Sequence, residues 1–157
     1  MQRIIPHLWF DKEAAEAAKF YTSLFRDSRI IDITQIHGTP SGTAETVTIE
    51  LSGQEFMLIS AGPFFTFTPA ISFLIACGTT KEVDMLWEQL SRGGTELMPL
   101  DAYPFSERYA WVQDRYGLSW QIMHMGDKKI TQKTPPTLMF TGDVCGKAEE
   151  AVNTYAS

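Results

Sequence analysis

The sequence predicts an α+β fold in which two βαβββ modules form mixed sheets that curl around a cleft. Three observations carry that prediction. Two amphipathic helical runs, each preceded by one strand-like run and followed by three, divide residues 3–126 into halves at 3–62 and 65–126. Turn-forming HGTPSG and SGQ part the strand-like runs of the first half. The composition, 157 residues with 44% hydrophobic and 20% charged, is that of an ordinary folded domain able to build a core without disulfides or structural metal.

Taken in order, RIIPHLWF (3–10) is apolar, contains a proline and is too short for a buried helix, which makes it a strand. In DKEAAEAAKFYTSLF (11–25), Ala14, Ala17, Ala18, Tyr21, Leu24 and Phe25 recur at helical spacing, with Asp11 as the expected cap. RIIDITQI (29–36), TAETVTIEL (43–51) and EFMLIS (55–60) are β-branched runs parted by HGTPSG and SGQ, as in a meander. The second half repeats the order, beginning with the strand PAISFLIAC (69–77). In the helix that follows, Thr79 and Glu82 form a capping box and Val83, Leu86, Trp87 and Leu90 the buried stripe, while Gly93 and Gly94 end it. TELMPL (95–100), ERYAWVQD (107–114) and LSWQIMHM (118–125) are the last three strands, with RYG as a tight turn.

Beyond a domain spanning 1–127, residues 128–157 look like the start of another copy. Pro136, Leu138, Phe140, Ala148, Glu150, Ala151 and Tyr155 repeat the order Pro6, Leu8, Phe10, Ala14, Glu16, Ala17 and Tyr21, with four additional residues between strand and helix. A lone strand and helix cannot bury both apolar faces, so this tail is expected to pack at the interface of a homodimer, with or without exchanged elements.

Charge and motifs exclude several functions. A net charge of −6 without any Lys/Arg cluster speaks against nucleic-acid or anionic-membrane partners. No apolar stretch reaches the roughly 18 residues of a membrane span, and the N-terminal residues lack signal-peptide character, so a cytoplasmic protein is expected. Cys77 ends an apolar strand and Cys145 has no histidine nearby in sequence, which leaves both as inert thiols. Walker, GxSxG and HExxH motifs are absent from the sequence.

PHLWFDKEAAEAAKFYTSLF (6–25), GQEFMLISAGP (53–63), FTFTPAISFLIAC (65–77) and DRYGLSWQIM (114–123) resemble the PhnB-like branch of the glyoxalase/bleomycin-resistance/dioxygenase group, the vicinal oxygen chelate superfamily. The resemblance implies a glyoxalase/bleomycin-resistance-like fold, dimers or two-domain chains that sometimes exchange elements, and one small-molecule cleft per pair of modules. Members of this branch are often labelled 3-demethylubiquinone-9 3-methyltransferase-like. Methyl transfer is not expected here, because the turn after the first strand, FDKEAA, lacks the glycine-rich loop of doubly wound methyl-donor sites.

Metal-using members of the superfamily place His or Glu on the first and last strands of each module. The resemblance puts those positions at Ile5, at Ser60 or Leu58, at Ala70 and at Gln121. Ile and Ala donate nothing and a neutral amide is a weak substitute for a carboxylate, so neither a catalytic metal nor another cofactor is expected. His7 shares a strand face with Ile5 and Trp9 and is open to roles as ligand, base, hydrogen-bond donor or satisfied structural histidine. His124 falls on the face opposite Gln121, and His37 in a solvated turn. GPFFTFTP places Phe64, Phe65 and Phe67 in a connection where polar residues are the default, as befits a pocket wall or a dimer contact. The expected ligand site is an aromatic cleft for a small molecule, lined by His7, Trp9, Phe65, Ser72, Ser119 and Gln121. Two alternatives stand beside it: a metal-dependent lyase, isomerase or dioxygenase using His7 with Gln121, and a dimeric structural module whose cleft is filled by Trp9 and Trp120.

Overall fold

The computed structural model describes residues 4–40 and 42–156. The first module runs β1 (His7–Phe10), α1 (Ala14–Leu24), β2 (Arg29–Thr39), β3 (Gly42–Leu51) and β4 (Gln54–Ser60). The second runs β5 (Ile71–Cys77), α2 (Thr80–Ser91), β6 (Thr95–Tyr103), β7 (Ser106–Gln113) and β8 (Ser119–His124). A tail adds β9 (Pro136–Leu138), a single 3-10 turn at Gly142–Val144 and α3 (Ala148–Tyr155). The sheets are ordered β1-β4-β3-β2 and β6-β7-β8-β5-β9 and neither closes. In both, the helix carries the chain across so that the module's first strand lies parallel to its last, and hairpins make the rest antiparallel.

Alternation gives each sheet two unlike faces. Leu8, Val47, Ile49 and Leu58 point to the side of α1, and Phe73, Ile75, Val112 and Trp120 to the side of α2; all belong to one continuous buried core. The modules meet through these helix-bearing faces, with ring centroids 5.1 Å apart for Phe56 and Phe73 and 5.3 Å for Tyr21 and Trp120. Burying each such side chain contributes roughly 1.5–3 kcal/mol.

A carboxylate sits inside this apolar junction. Asp114, only 3% exposed, opens the DRYG turn, where its Oδ1 accepts the backbone N–H of Tyr116 at 2.8 Å and of Leu118 at 3.1 Å. Its Oδ2 accepts the Tyr21 hydroxyl at 2.7 Å and Trp120 Nε1–H at 2.9 Å. One side chain thus shapes a turn in the second module and fastens the helix of the first.

The caps follow the sequence in one helix and depart from it in the other. At α2, Glu82 N–H donates to Thr79 Oγ1 at 3.1 Å, while Glu82 Oε2 accepts from Gly78 N–H, one residue ahead of the expected box. Asp11 does not cap α1, which begins at Ala14; the Ala14 N–H donates to Ser60 Oγ at 3.0 Å. The end of β4 already lies against the helix start, so a hydroxyl remote in sequence takes the role of a local cap. The hairpin ladder also carries β2 and β3 to Thr39 and Gly42, and His37 therefore stands on an exposed strand, its Nδ1 3.0 Å from Thr43 Oγ1, and not in a turn.

Gly94 is required for a steric reason. A Cβ there would lie 2.1 Å from the Gln113 carbonyl oxygen across the start of β6. Gly94→Ala is expected to cost about 1–3 kcal/mol by forcing β6 and β7 apart, whereas Gly78→Ala, which meets open space, should change stability by under about 1 kcal/mol. Thermal unfolding of the two variants side by side tests this; equal melting temperatures would refute it.

The tail joins the second sheet of its own chain: β9 pairs antiparallel with β5, and the Leu74 and Ala76 N–H groups extend the ladder to the carbonyls of Pro135 and Lys133. Thr134 is fully buried and donates to Gln54 Oε1 at 3.0 Å. Helix α3, in contrast, buries no residue. Tyr155 is 72% exposed and Leu138 46%, while Tyr21 and Leu8, the residues they repeat, are 0% and 5% exposed. Among the described residues no helix is long and apolar enough to cross a membrane.

Candidate functional site

The outer face of the second sheet, away from the shared core, carries a hydrogen-bonded polar chain. Strand pairing sets Trp111 opposite Gln121 and Gln113 opposite Ser119. Gln121 Oε1 accepts the Tyr109 hydroxyl at 2.8 Å, and Gln121 Nε2 donates to Ser72 Oγ at 2.8 Å on the parallel neighbour β5. Trp111 Nε1–H donates to Ser119 Oγ at 2.7 Å. Burial, and after it Tyr103, pushes the Tyr109 hydroxyl up to about 12, so it stays a proton donor at physiological pH. This fixes the Gln121 amide: its oxygen faces Tyr109 and its nitrogen faces Ser72, which is itself buried.

Trp9 and Phe65 meet on the first module. Their rings pack edge to face with centroids 5.0 Å apart, and Trp9 Nε1–H donates to the Gly62 carbonyl at 2.8 Å, pinning the connection after β4 onto β1. A recess of about 560 Å³ opens beside them, with Phe10, Glu13, Arg115 and Tyr116 among its walls. His7 is exposed at the start of β1, opposite Met57 and on the same strand face as Trp9.

The six sequence-derived residues therefore fall into two groups. Ser72, Ser119 and Gln121 come together on one sheet, and Trp9 and Phe65 on the other with His7 on the Trp9 face; the shared core lies between. Tyr109 and Trp111 are the functional candidates that sequence reading missed. Their signal was present in the alternation of ERYAWVQD, which sets Tyr109, Trp111 and Gln113 on one face, but their partners become visible only with the strand register. His124 lies on the core side of β8 with Nδ1 3.4 Å from Glu107 Oε2, away from Gln121.

The ligand positions expected on β4 are corrected by the register. Leu58 pairs with Leu8 and Ser60 with Phe10, so both lie on the core face, Leu58 in the core itself and Ser60 at the start of α1. Met57 and Ile59 occupy the outer face instead. Among the described residues no three His, Cys, Asp or Glu side chains gather where they could hold a metal. His7 supplies a single imidazole on the outer face, and the remaining groups, a hydroxyl, a neutral amide, a thioether and aliphatic side chains, are poor partners for a zinc-type cation, which wants several anionic or imidazole donors. Cys77, buried, has its thiol pushed up to about 12 by desolvation and is no nucleophile at neutral pH; Cys145 is exposed.

Comparison with known proteins gives a consistent family. The family model for 3-demethylubiquinone-9 3-methyltransferase matches residues 2–123. Among solved structures, the PhnB protein from Bacillus cereus is 41% identical with a TM-score of 0.72, covering 78% of this chain and 99% of that one. Protein PA1353 from Pseudomonas aeruginosa, 18% identical with a TM-score of 0.70, covers 81% of this chain and 100% of its own and shares the fold. The fosfomycin resistance protein FosX from Listeria monocytogenes shares it too, at 13% identity and a TM-score of 0.55, over 78% of this chain and 94% of its own. No curated protein matches the chain. With the βαβββ pairs, the 41% identity and a family match over most of its length, this chain belongs to the PhnB-like, 3-demethylubiquinone-9 3-methyltransferase-like family.

Proposed function

We propose that the chain is a metal-independent small-molecule-binding member of this family whose cleft is completed by a second copy of itself. The observation that carries the reading is the Tyr109–Gln121–Ser72 chain, a fixed polar strip beside Trp111, which provides orientation for a flat, largely apolar molecule. Gln121 stands where the superfamily's metal-using members place a carboxylate, and its amide is already committed to two neutral partners. Methyl transfer has no support in the fold, which is not doubly wound and has no glycine-rich turn after its first strand.

The dimer follows from the faces. The strip on the second sheet and the Trp9 face of the first lie on opposite sides of the shared core, so both wall one cleft when the first module of one copy faces the second module of another. The uncovered α3, with Val152 61% exposed, belongs near that interface.

Native mass spectrometry of protein purified without chelator tests both parts. A dimer free of zinc-, nickel-, manganese- or iron-sized increments is expected; a monomer would remove the shared cleft, and one metal per subunit would replace this reading with the metalloenzyme one. For the strip itself, Gln121→Ala is expected to weaken binding of 1-naphthol, read by tryptophan quenching, by about tenfold, the worth of one or two oriented hydrogen bonds. Unchanged binding would remove Gln121 from the site.

A further inference from the structure

A second recess lies between the end of α1, the turn after β3 and the start of α2. It measures about 570 Å³ and is lined by parts of both modules and the tail. Its apolar lining is Leu24, Phe25 and Met85, and its cationic lining Arg26, Lys81 and Lys133. Three cations from three separate segments converge here in a chain whose net charge is −6.

Their partners decide what the recess can accept. Lys133 Nζ is committed, donating to Glu82 Oε1 at 2.7 Å and to the Ala76 carbonyl at 2.5 Å. Glu82, the one acid in the lining, is thereby neutralised, and its other oxygen accepts the Gly78 N–H. Arg26 and Lys81 form no ion pair among the described residues. The Arg26 backbone is held in place nonetheless, because its carbonyl accepts the hydroxyls of Ser28 and Ser52. Ser52 and Thr79 also line the recess, and the positive end of α2 starts there.

We propose that this recess binds a small organic anion with an apolar tail, its carboxylate or phosphate head between Arg26 and Lys81 and its tail over Leu24, Phe25 and Met85. The two free cations supply charge-assisted hydrogen bonds to the head. The apolar lining supplies the rest, since neither an inorganic ion nor a neutral alkane would use both halves.

Isothermal titration of the intact chain with four probes tests this: octanoate, octyl phosphate, 1-octanol and inorganic phosphate. At least one of the two amphiphilic anions should bind about tenfold or more tightly than both 1-octanol and inorganic phosphate, and which of them does so identifies the head group. The double variant Arg26→Glu/Lys81→Glu, altered only at exposed side chains, should lose that binding by about tenfold or more at an unchanged melting temperature, and amide shifts on titration should centre on Ser52, Lys81 and Met85. Equal affinity for 1-octanol, equal affinity for inorganic phosphate, or binding untouched in the double variant would each overturn the assignment.

Discussion

Asp114→Ala is expected to destabilise the protein by about 3 kcal/mol or more, because it strips four donors of their common buried acceptor at once. For a chain of this size that corresponds to a fall in melting temperature of roughly 6–12 °C. Two of the donors, the N–H groups of Tyr116 and Leu118, shape the turn between β7 and β8; the other two, the Tyr21 hydroxyl and Trp120 Nε1–H, join the modules. Retention of the wild-type melting temperature would show that the junction is held by apolar packing alone.

The same carboxyl makes stability depend on pH with a defined sign. Desolvation raises it above its ordinary value of 3.8, and the hydrogen bonds from Trp120, Tyr21, Tyr116 and Leu118 oppose that rise without cancelling it. Between the unfolded and folded values the native state therefore holds more protons than the unfolded one. The stabilisation from this group is fully present below the ordinary carboxylate range and is lost as pH rises through the folded value. Asp114→Asn removes the titration while keeping the shape, so the stability of wild type relative to this variant should shrink with rising pH from about 3 to about 7. Urea unfolding at intervals across that range reads the difference, and a gap that widens with pH would contradict the sign.

Trp120→Ala should cost about 3–5 kcal/mol. The indole is fully buried, packs against Tyr21, Phe25 and Phe73, and is among the largest side chains with no solvent contact. Its neighbour in β8 is Gln121, on the opposite face, so loosening the strand from the core side should also disorder the Tyr109–Gln121–Ser72 chain. Trp120→Phe separates the two contributions, as it keeps most of the apolar contact and loses only the Nε1–H donated to Asp114. If the alanine variant melted within about 2 °C of the phenylalanine variant, a difference below roughly 1 kcal/mol, packing around the indole would matter less than the core geometry requires.

These residues show how differently parts of the molecule could be read in advance. Thr79 and Glu82 announced a helix start correctly, because a capping box is made by residues three apart. Asp11 misled, since the amide it was expected to satisfy is taken by Ser60, forty-six positions from Ala14 along the chain. The same hydroxyl was a candidate ligand position only because strand membership leaves the facing side open by one residue; the pairing of Ser60 with Phe10 puts it on the core side. Gln121 was legible as a site candidate through the family resemblance, and Ser72 as a polar contact of the expected aromatic cleft. Tyr109, which orients Gln121, was not, because its hydroxyl finds the amide across an antiparallel register that no local pattern states.

By itself the sequence determined the order of strands and helices, the doubling of the βαβββ unit and the family, all of which rest on residue types and spacings within one element or one motif. Tertiary structure alone decided that the modules meet through their helix-bearing faces, that Trp9 and Gln121 look away from each other in a single chain, and that Asp114 ties a turn to a helix ninety-three residues distant. The physical reason is common to these cases. Periodicity establishes that a strand has an apolar face and a second face, but which of them is covered depends on surfaces brought together from the far end of the chain, where burial and hydrogen-bond satisfaction are settled jointly.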